Sequence, residues 1–348
     1  MEAIVQPAST QVGDGLDSYH VEILVLMNAV KKPTTVDEQL ELLRSRSMEI
    51  GEPLARQWLT NVSYYRLSGY WYAYRVLPTP DDPKNPVRLD QFENGTRFTD
   101  IAALYEFDRK MRTLIYDGIE RIEVAMRAKL GELLVAKGAL SYQDASLFRP
   151  GFDHAGWLET AYKRVERARG RDRAIDHYAT HYDDYPFWVL ADVLDFSDIS
   201  QLFDGLVVED QRTIAHSFGL VADPGRLNSK QKKSYYTQDP LARWCEQLSV
   251  LRNTCAHHGR VWNRHFTPAS SNALRTIPDL HSLPKGQSER LYGALLVMAF
   301  MLKTVSPGSS WSRRVRTLID TEYVPLPMRH LNEMGIPHNW HELTLWAV

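Results

Sequence analysis

The sequence predicts an all-α fold. Three observations carry that prediction. Apolar residues recur at steps of three and four along several stretches, the spacing of one helix face. Capping residues stand before these stretches, and glycines close several of them. No segment shows the convincing apolar–polar alternation of a half-buried strand, and there is no internal repeat.

Taken in order, residues 1–30 are weakly patterned and read as a peripheral segment, with Met27 a possible alternative start. Residues 31–77 read as an N-terminal helical extension. Within it VDEQLELLRSR follows Thr35 as N-cap, with Leu40, Leu43 and Met48 inward, and a second helix begins at Pro53. NVSYYRLSGYWYAYR, 61–75, then sets six aromatics around Arg66 and Arg75. Tyr65 and Arg66 could stack a base and hold a phosphate. The alternative is a core seam capped by tyrosine hydroxyls. Residues 78–97, with four prolines and Asn94-Gly95, read as a linker.

The longest helix is expected over roughly 100–137, capped by Thr99 and stopped at Gly138. Glu120, Arg121, Glu123 and Arg127 ride on it, and taken alone they read as a solvated face with i,i+4 pairs such as Glu123–Arg127. Residues 141–156 are loop-like. Trp157 to Arg173 reads as one strongly basic helix, whose Arg164 and Arg167 are candidates for a phosphate-facing patch. FWVLADVLDF starts a buried helix, Ser197 caps the next, and 209–219 gives a short one. The segment 221–239 is polar and lysine-rich and is expected to be mobile. Beyond 266–288, a loop, Ser288 caps a helix to about Thr304 that is apolar almost all round and so central. Ser310 to Tyr323 is a last amphipathic helix. The main body is thus expected over 98–305, and 306–348 forms a C-terminal helix and tail.

Composition bounds the function. A hydrophobic fraction of 44% with 24% charged residues is that of a soluble globular protein. Net charge is −2, so any nucleic-acid contact must come from a local patch. The only cysteines, Cys245 and Cys255, lie on one apolar helix and read as buried thiols in a reducing, cytoplasmic setting. No apolar run is long enough to span a membrane, so no membrane partner is expected.

The chemistry concentrates in LRNTCAHHGRVWNR, 251–264. An apolar helix (Leu241, Trp244, Cys245, Leu248, Leu251, Cys255) leads into Arg252, Asn253, His257, His258, Arg260, Asn263 and Arg264. Cleaving RNA internally needs a base for the 2′-hydroxyl proton, an acid for the leaving 5′-oxygen and a cation for the phosphorane-like transition state. Histidine can do the proton work near neutral pH, and arginine stays charged and bonds phosphate in a fork. The bare pattern of Arg, four to six residues, then His is weak, since it occurs six times. What singles out Arg252–His257 is the adjacent Asn253 and the apolar helix before it.

Two other readings compete. His257, His258 and His265 could bind a metal, but adjacent histidines point to different helix sides and no carboxylate follows at ligand spacing. Or the cluster simply caps a helix C-terminus. One geometric point bears on the nuclease reading. Five residues along an ideal helix separate Arg252 from His257 by roughly 140°. Convergence requires a helix irregularity near Ala256–Gly259, a composite dimer site, or both.

The chain resembles the bacterial abortive-infection proteins of the Abi-like group. The resemblance runs through KKPTTVDEQLELLRSR, NVSYYRLSGYWYAYR, LYEFDRKMRTLIYDGIERIEVAMRAKL, PFWVLADVLDFSDISQLF, IAHSFGL, LRNTCAHHGRVWNR and MGIPHNW. It covers nearly all of 31–346 and leaves out 1–30. It implies membership of the HEPN superfamily, a helical bundle with an N-terminal extension, and a metal-independent ribonuclease site at an Arg-x4-His motif. Carried onto this chain, the motif is Arg252, Asn253 and His257, followed by His258. Glu120 and Arg127 fall where such folds often place supporting polar residues. The expectation is therefore a phage-defence ribonuclease acting on RNA as a homodimer, with no metal or cofactor and a possible phage-derived trigger. Arg260, Asn263, Arg264, Tyr65, Arg66, Arg164 and Arg167 are the expected substrate contacts. The alternative is a non-catalytic RNA- or protein-binding module of a defence system, bound to a small RNA or acting as an antitoxin.

Overall fold

The computed structural model describes residues 32–78 and 87–347. It is an all-α bundle, as the periodicity predicts. Segment 1–30, Met27 within it, and the proline-rich part of the linker at 79–86 lie outside the described residues. Thirteen α-helices are present among the described residues, beside one antiparallel pair of two-residue strands, Ala269–Ser270 and Gln287–Ser288.

The first three helices are α1 (Val36–Ser45), α2 (Glu52–Val62) and α3 (Tyr64–Trp71). Thr35 caps α1 in a reciprocal box with Glu38, satisfying two backbone donors that a bare helix start would leave unpaired. The described second half of the linker is pinned to this unit, because the Phe92 N–H donates to the Arg46 carbonyl and Phe98 to that of Glu49.

Helix α4 (Phe98–Val135) is 38 residues long, an axis of about 57 Å, and the rest of the bundle is built around it. Its N-cap position is Arg97; Thr99 lies inside the first turn and does not cap. A face running through Ile101, Leu104, Phe107, Met111, Ile115, Ile119, Ile122, Met126, Leu130 and Leu134 is buried. Gly118 marks the tightest crossing. A Cβ there would sit 2.7 Å from Met298 and 2.8 Å from the Trp311 ring, so only glycine admits the two C-terminal helices this close.

The middle of the chain supplies α5 (His154–Ala168), α6 (Arg173–His181), α7 (Phe187–Val193), α8 (Phe196–Gly205) and α9 (Val208–Ser217). The single basic helix expected to Arg173 is instead two helices. Gly170, at φ 72°, turns the chain between α5 and α6. Asp195, not Ser197, stands at the N-cap of α8. The expectation of a mobile 221–239 is corrected. That segment contains α10 (Ser229–Thr237), begun by an Asn228–Gln231 capping box and anchored by buried Tyr235 against Ala222, Leu227 and Ala273. Net polarity hid these four apolar residues, one of them far away in sequence.

Helix α11 (Pro240–Ala256) packs between α8 and α4, and α12 (Leu291–Val305) lies against α4 with eleven of its residues buried. Ser288 does not cap α12. It is buried in the second short strand, and Arg290 occupies the cap position. The last helix, α13 (Trp311–Leu318), continues as a π-helical turn over Ile319–Tyr323. The tail then folds back. Arg329 stacks on Tyr74 and Trp262, and Trp340 and Trp346 close the core.

Helix α11 begins at Asp239, whose carboxylate accepts the Leu241 N–H at 2.9 Å while almost wholly buried. Burial pushes its pKa up to about 6. The folded chain therefore holds this proton more tightly than the unfolded chain. The associated stability is complete below about pH 4 and is lost as pH rises through about 6. Asp239→Asn keeps the acceptor and removes the charge. It should melt near the unaltered protein at pH 4 and above it at pH 8, by at most ~3 kcal/mol less the ~0.3–1 kcal/mol by which a helix N-terminus favours an anion. Thermal melts at the two pH values check this; a gap that does not widen with pH would refute it.

Candidate functional site

Helix α11 carries the motif on its last turn, and the helix ends inside the motif. His257 is the C-cap, with φ −88° and ψ 15°. The Gly259 N–H bonds the Thr254 carbonyl at 2.7 Å and the His258 N–H bonds that of Cys255 at 3.0 Å. This pair of bonds is a Schellman motif, which satisfies carbonyls that the helix end would otherwise orphan. The residue it needs in the left-handed region is usually glycine. Here it is His258, at φ 56°. The irregularity expected near Ala256–Gly259 is present, but it falls after His257 and so re-aims His258.

Arg252 sits half-buried one turn earlier. Its Nε is buried without a hydrogen-bond partner, 3.6 Å from the Glu123 carboxylate of α4. Its Nη1 donates to Asn253 Oδ1 at 3.3 Å, and its guanidinium lies 5.7 Å from the centroid of the Tyr116 ring. Glu123 is only 7% exposed, so the solvated-face reading of this part of α4 is corrected. The i,i+4 pair with Arg127 does exist, at 2.6 Å. Arg127 also donates to the carbonyls of Ala191 and Leu194, closing the C-terminal end of α7. Glu123 therefore serves two arginines, and its closer bond goes to Arg127.

The chain beyond the motif is held by Asp108, which is fully buried on α4. The backbone N–H groups of Val261 and Trp262 donate to its Oδ1 at 3.1 and 2.9 Å. The Tyr70 hydroxyl donates to Oδ2 at 2.7 Å, and Arg112 pairs with the same oxygen. Burial pushes the Asp108 pKa up, while Arg112, Tyr70 and the two amides pull it back. With every nearby donor aimed at its oxygens, the carboxylate is the form this site is built to hold. Two further arginines tie the loop to α3. Arg66 donates to the His258 carbonyl and to the Tyr105 hydroxyl, and Arg260 donates to the Gly69 carbonyl.

A cleft of about 680 Å³ opens beside the Schellman turn. His258, Ala256 and Cys255 form one wall, and the α4 residues Arg112, Tyr116 and Glu120 form part of the other.

A model of the Abi-like protein family matches residues 57–263, more than half of the chain. The chain belongs to the Abi-like protein family. Its role accordingly lies in abortive infection, a defence against phage. The match starts in α2, takes in α3 and α4, and ends at Asn263, so it encloses the whole cluster just described. No curated protein and no solved structure matched the chain.

In this Abi-like chain the expected site residues separate into groups. Arg252, His258, Arg66, Arg260 and Arg127 join the network around the end of α11, and Glu120 lines the cleft from an exposed position on α4. Asn253, His257 and Arg264 are exposed, and Asn263 is half-buried with its Oδ1 lacking a partner. Arg66 and Arg260 spend hydrogen bonds on carbonyls. Tyr65 is 89% exposed, whereas Tyr70, Trp71 and Tyr74 beside it are buried, so the aromatic stretch is mainly core seam. On α5, Arg164 pairs with Asp195 at 2.7 Å and with buried Asp198 at 2.9 Å. Arg167 stays more exposed, 3.9 Å from Asp195. Among the described residues no three His, Cys, Asp or Glu side chains gather to hold a metal, and His257, His258 and His265 form no such group. Both cysteines are buried, with pKa values pushed up by burial, that of Cys255 to about 12. No helix among the described residues is long and apolar enough to cross a membrane.

Sequence reasoning missed Asp108, Arg112, Tyr116 and the part played by Glu123. One signal was present. Asp108 and Arg112 lie four apart and interrupt the apolar face of α4, where an unpaired charge would be costly.

Two variants test this network. Asp108→Asn should lower stability in urea denaturation by ~3–5 kcal/mol, the scale for breaking a buried ion pair, whereas Tyr70→Phe should cost only ~1 kcal/mol. Equal, small losses would mean that Asp108 does not anchor the loop. His258→Gly should stabilise the fold. A left-handed conformation costs a non-glycine residue ~1–2 kcal/mol and the chain entropy of glycine takes back ~0.5–1 kcal/mol, a net gain on the order of 0.5–1 kcal/mol visible as a higher Tm.

Proposed function

We propose that this Abi-like protein is a metal-independent HEPN-type endoribonuclease. The observation that carries the reading is the incomplete neutralisation of Arg252. It stands over Tyr116 beside a carboxylate already bonded to Arg127, one turn before a histidine pair that includes a strained His258. Strain of this kind clusters at functional sites, where the surrounding structure over-determines it.

The chemistry follows from the residue types. The ribose 2′-oxygen attacks phosphorus and the bond to the 5′-oxygen breaks, leaving a 2′,3′-cyclic phosphate and a free 5′-hydroxyl. An imidazole accepts the 2′ proton, and an imidazolium donates one to the leaving oxygen. Arg252 bonds the non-bridging oxygens and balances the charge that grows on them. His257 performs the proton transfer, and Asn253 and His258 orient the reacting groups. No hydrogen bond joins the Arg252 and His257 side chains among the described residues, and the azimuth between their positions is roughly 140°. The complete site therefore takes Arg252 from one copy and His257 from the other in a homodimer.

The purified protein should cut a labelled RNA in EDTA and leave 2′,3′-cyclic phosphate ends, and the Arg252→Ala/His257→Ala variant should not. Mixing the two single variants tests the shared site. Half of the dimers formed at random are heterodimers with one intact Arg–His pair, so about a quarter of the activity should return. RNA bound but never cut would identify a binding module instead. Cutting that no mixture restores would place the site within one chain.

A further inference from the structure

The cleft beside His258 is the first of three concavities that run into one another. It shares Arg109 and Thr113 with a second, of about 460 Å³, between α4 and α13. The second shares Arg313 with a third, of about 390 Å³, which Lys303 of α12 and the start of α13 enclose. A depression made of three adjoining concavities thus leads away from the motif, over α4, to the N-terminus of α13.

Its charge is out of keeping with the chain as a whole, which carries −2. Six cations line it, Arg109, Lys110, Arg112, Lys303, Arg313 and Arg314, of which Arg112 is committed to buried Asp108, so that five stand against the three lining carboxylates Asp117, Glu120 and Glu322. Four of the cations hold surface partners: Arg109 with Glu106, Lys110 with Glu322, Arg314 with Asp117 and Lys303 with Asp279. Exposed pairs of this kind are worth ~0–1 kcal/mol, so a phosphate can replace them. Arg313 is exposed and has no carboxylate partner among the described residues. Between the cations stand the hydroxyls of Thr113, Thr317, Thr321 and Ser312. At the motif end stands Tyr116, 41% exposed and able to stack a base. Spaced cations and hydroxyls ending at an aromatic face suit a flexible polyanion carrying bases.

We propose that this depression is the track along which single-stranded RNA is led to the motif, with Arg313 as its far anchor. The choice of RNA rests on the ribonuclease reading above; the track itself rests on the shared walls and the local excess of positive charge. The basic helix α5 is the weaker candidate, because Arg164 is already committed to Asp195 and Asp198.

Binding of a fluorescent oligouridine, measured in the Arg252→Ala/His257→Ala background, reads the track without cutting. Arg313→Glu should weaken binding about tenfold, with the slope of log affinity against log salt shallower by about one. Arg171→Glu, an exposed reversal outside the depression, controls for net charge and should leave binding unchanged. In the otherwise unaltered protein, Arg313→Glu should slow cutting of long RNA and spare a dinucleotide too short to reach it. No loss with Arg313→Glu, an equal loss with Arg171→Glu, or no RNA binding by any form overturns the track. So does a cell phenotype of Arg313→Glu with RNA binding intact, which would assign the depression to a protein. Binding lost as expected, in a protein that cuts nothing, keeps the track and removes the ribonuclease reading.

Discussion

One buried carboxylate fixes where the motif stands. Asp108 receives two backbone amides from the chain just past the motif, a hydroxyl from α3 and a guanidinium from its own helix. Taking a charge out of water costs several kcal/mol unless its lone pairs are filled, and here each oxygen is filled from a different part of the chain. Three segments far apart in sequence thereby acquire one common reference point. The end of α11 is placed relative to α4 by that point, and so is everything the motif faces.

Around this anchor the motif is deliberately under-satisfied. Arg127 donates three hydrogen bonds, to Glu123 and to two carbonyls, whereas Arg252 has a buried Nε with no partner and a guanidinium directed at a ring and an amide. The contrast assigns roles to two arginines that look alike in sequence. One closes a helix end, and the other is left with a buried donor unfilled. His258 adds to the pattern, because a glycine in its place would relax the turn. A protein selected only for stability has little reason to keep either feature.

Much of this was legible in the sequence, and what was not has identifiable causes. Helical spacing located α1, α4, α11 and α12, and Thr35 announced the start of α1, since those signals are local. An irregularity near Ala256–Gly259 was expected so that Arg252 and His257 could converge, but the turn follows His257 and leaves the two positions on different sides of the helix. The role of Glu123 was not, since an i,i+4 pair with Arg127 looks the same whether solvated or buried. The fate of Arg164 also depended on a distant partner, Asp198, so a basic helix seemed freer than it is. The segment 221–239 misled for the opposite reason. Its few apolar residues find Ala273, 51 positions removed from Ala222, and no window of local sequence contains that contact.

The two arginine ties between α3 and the motif loop have a consequence of their own. Arg66 donates from α3 to the His258 carbonyl, and Arg260 donates from the loop to the Gly69 carbonyl of α3. The loop that carries His258 is therefore braced against α3 in both directions, one arginine reaching each way, and a displacement of that helix would be felt at the motif.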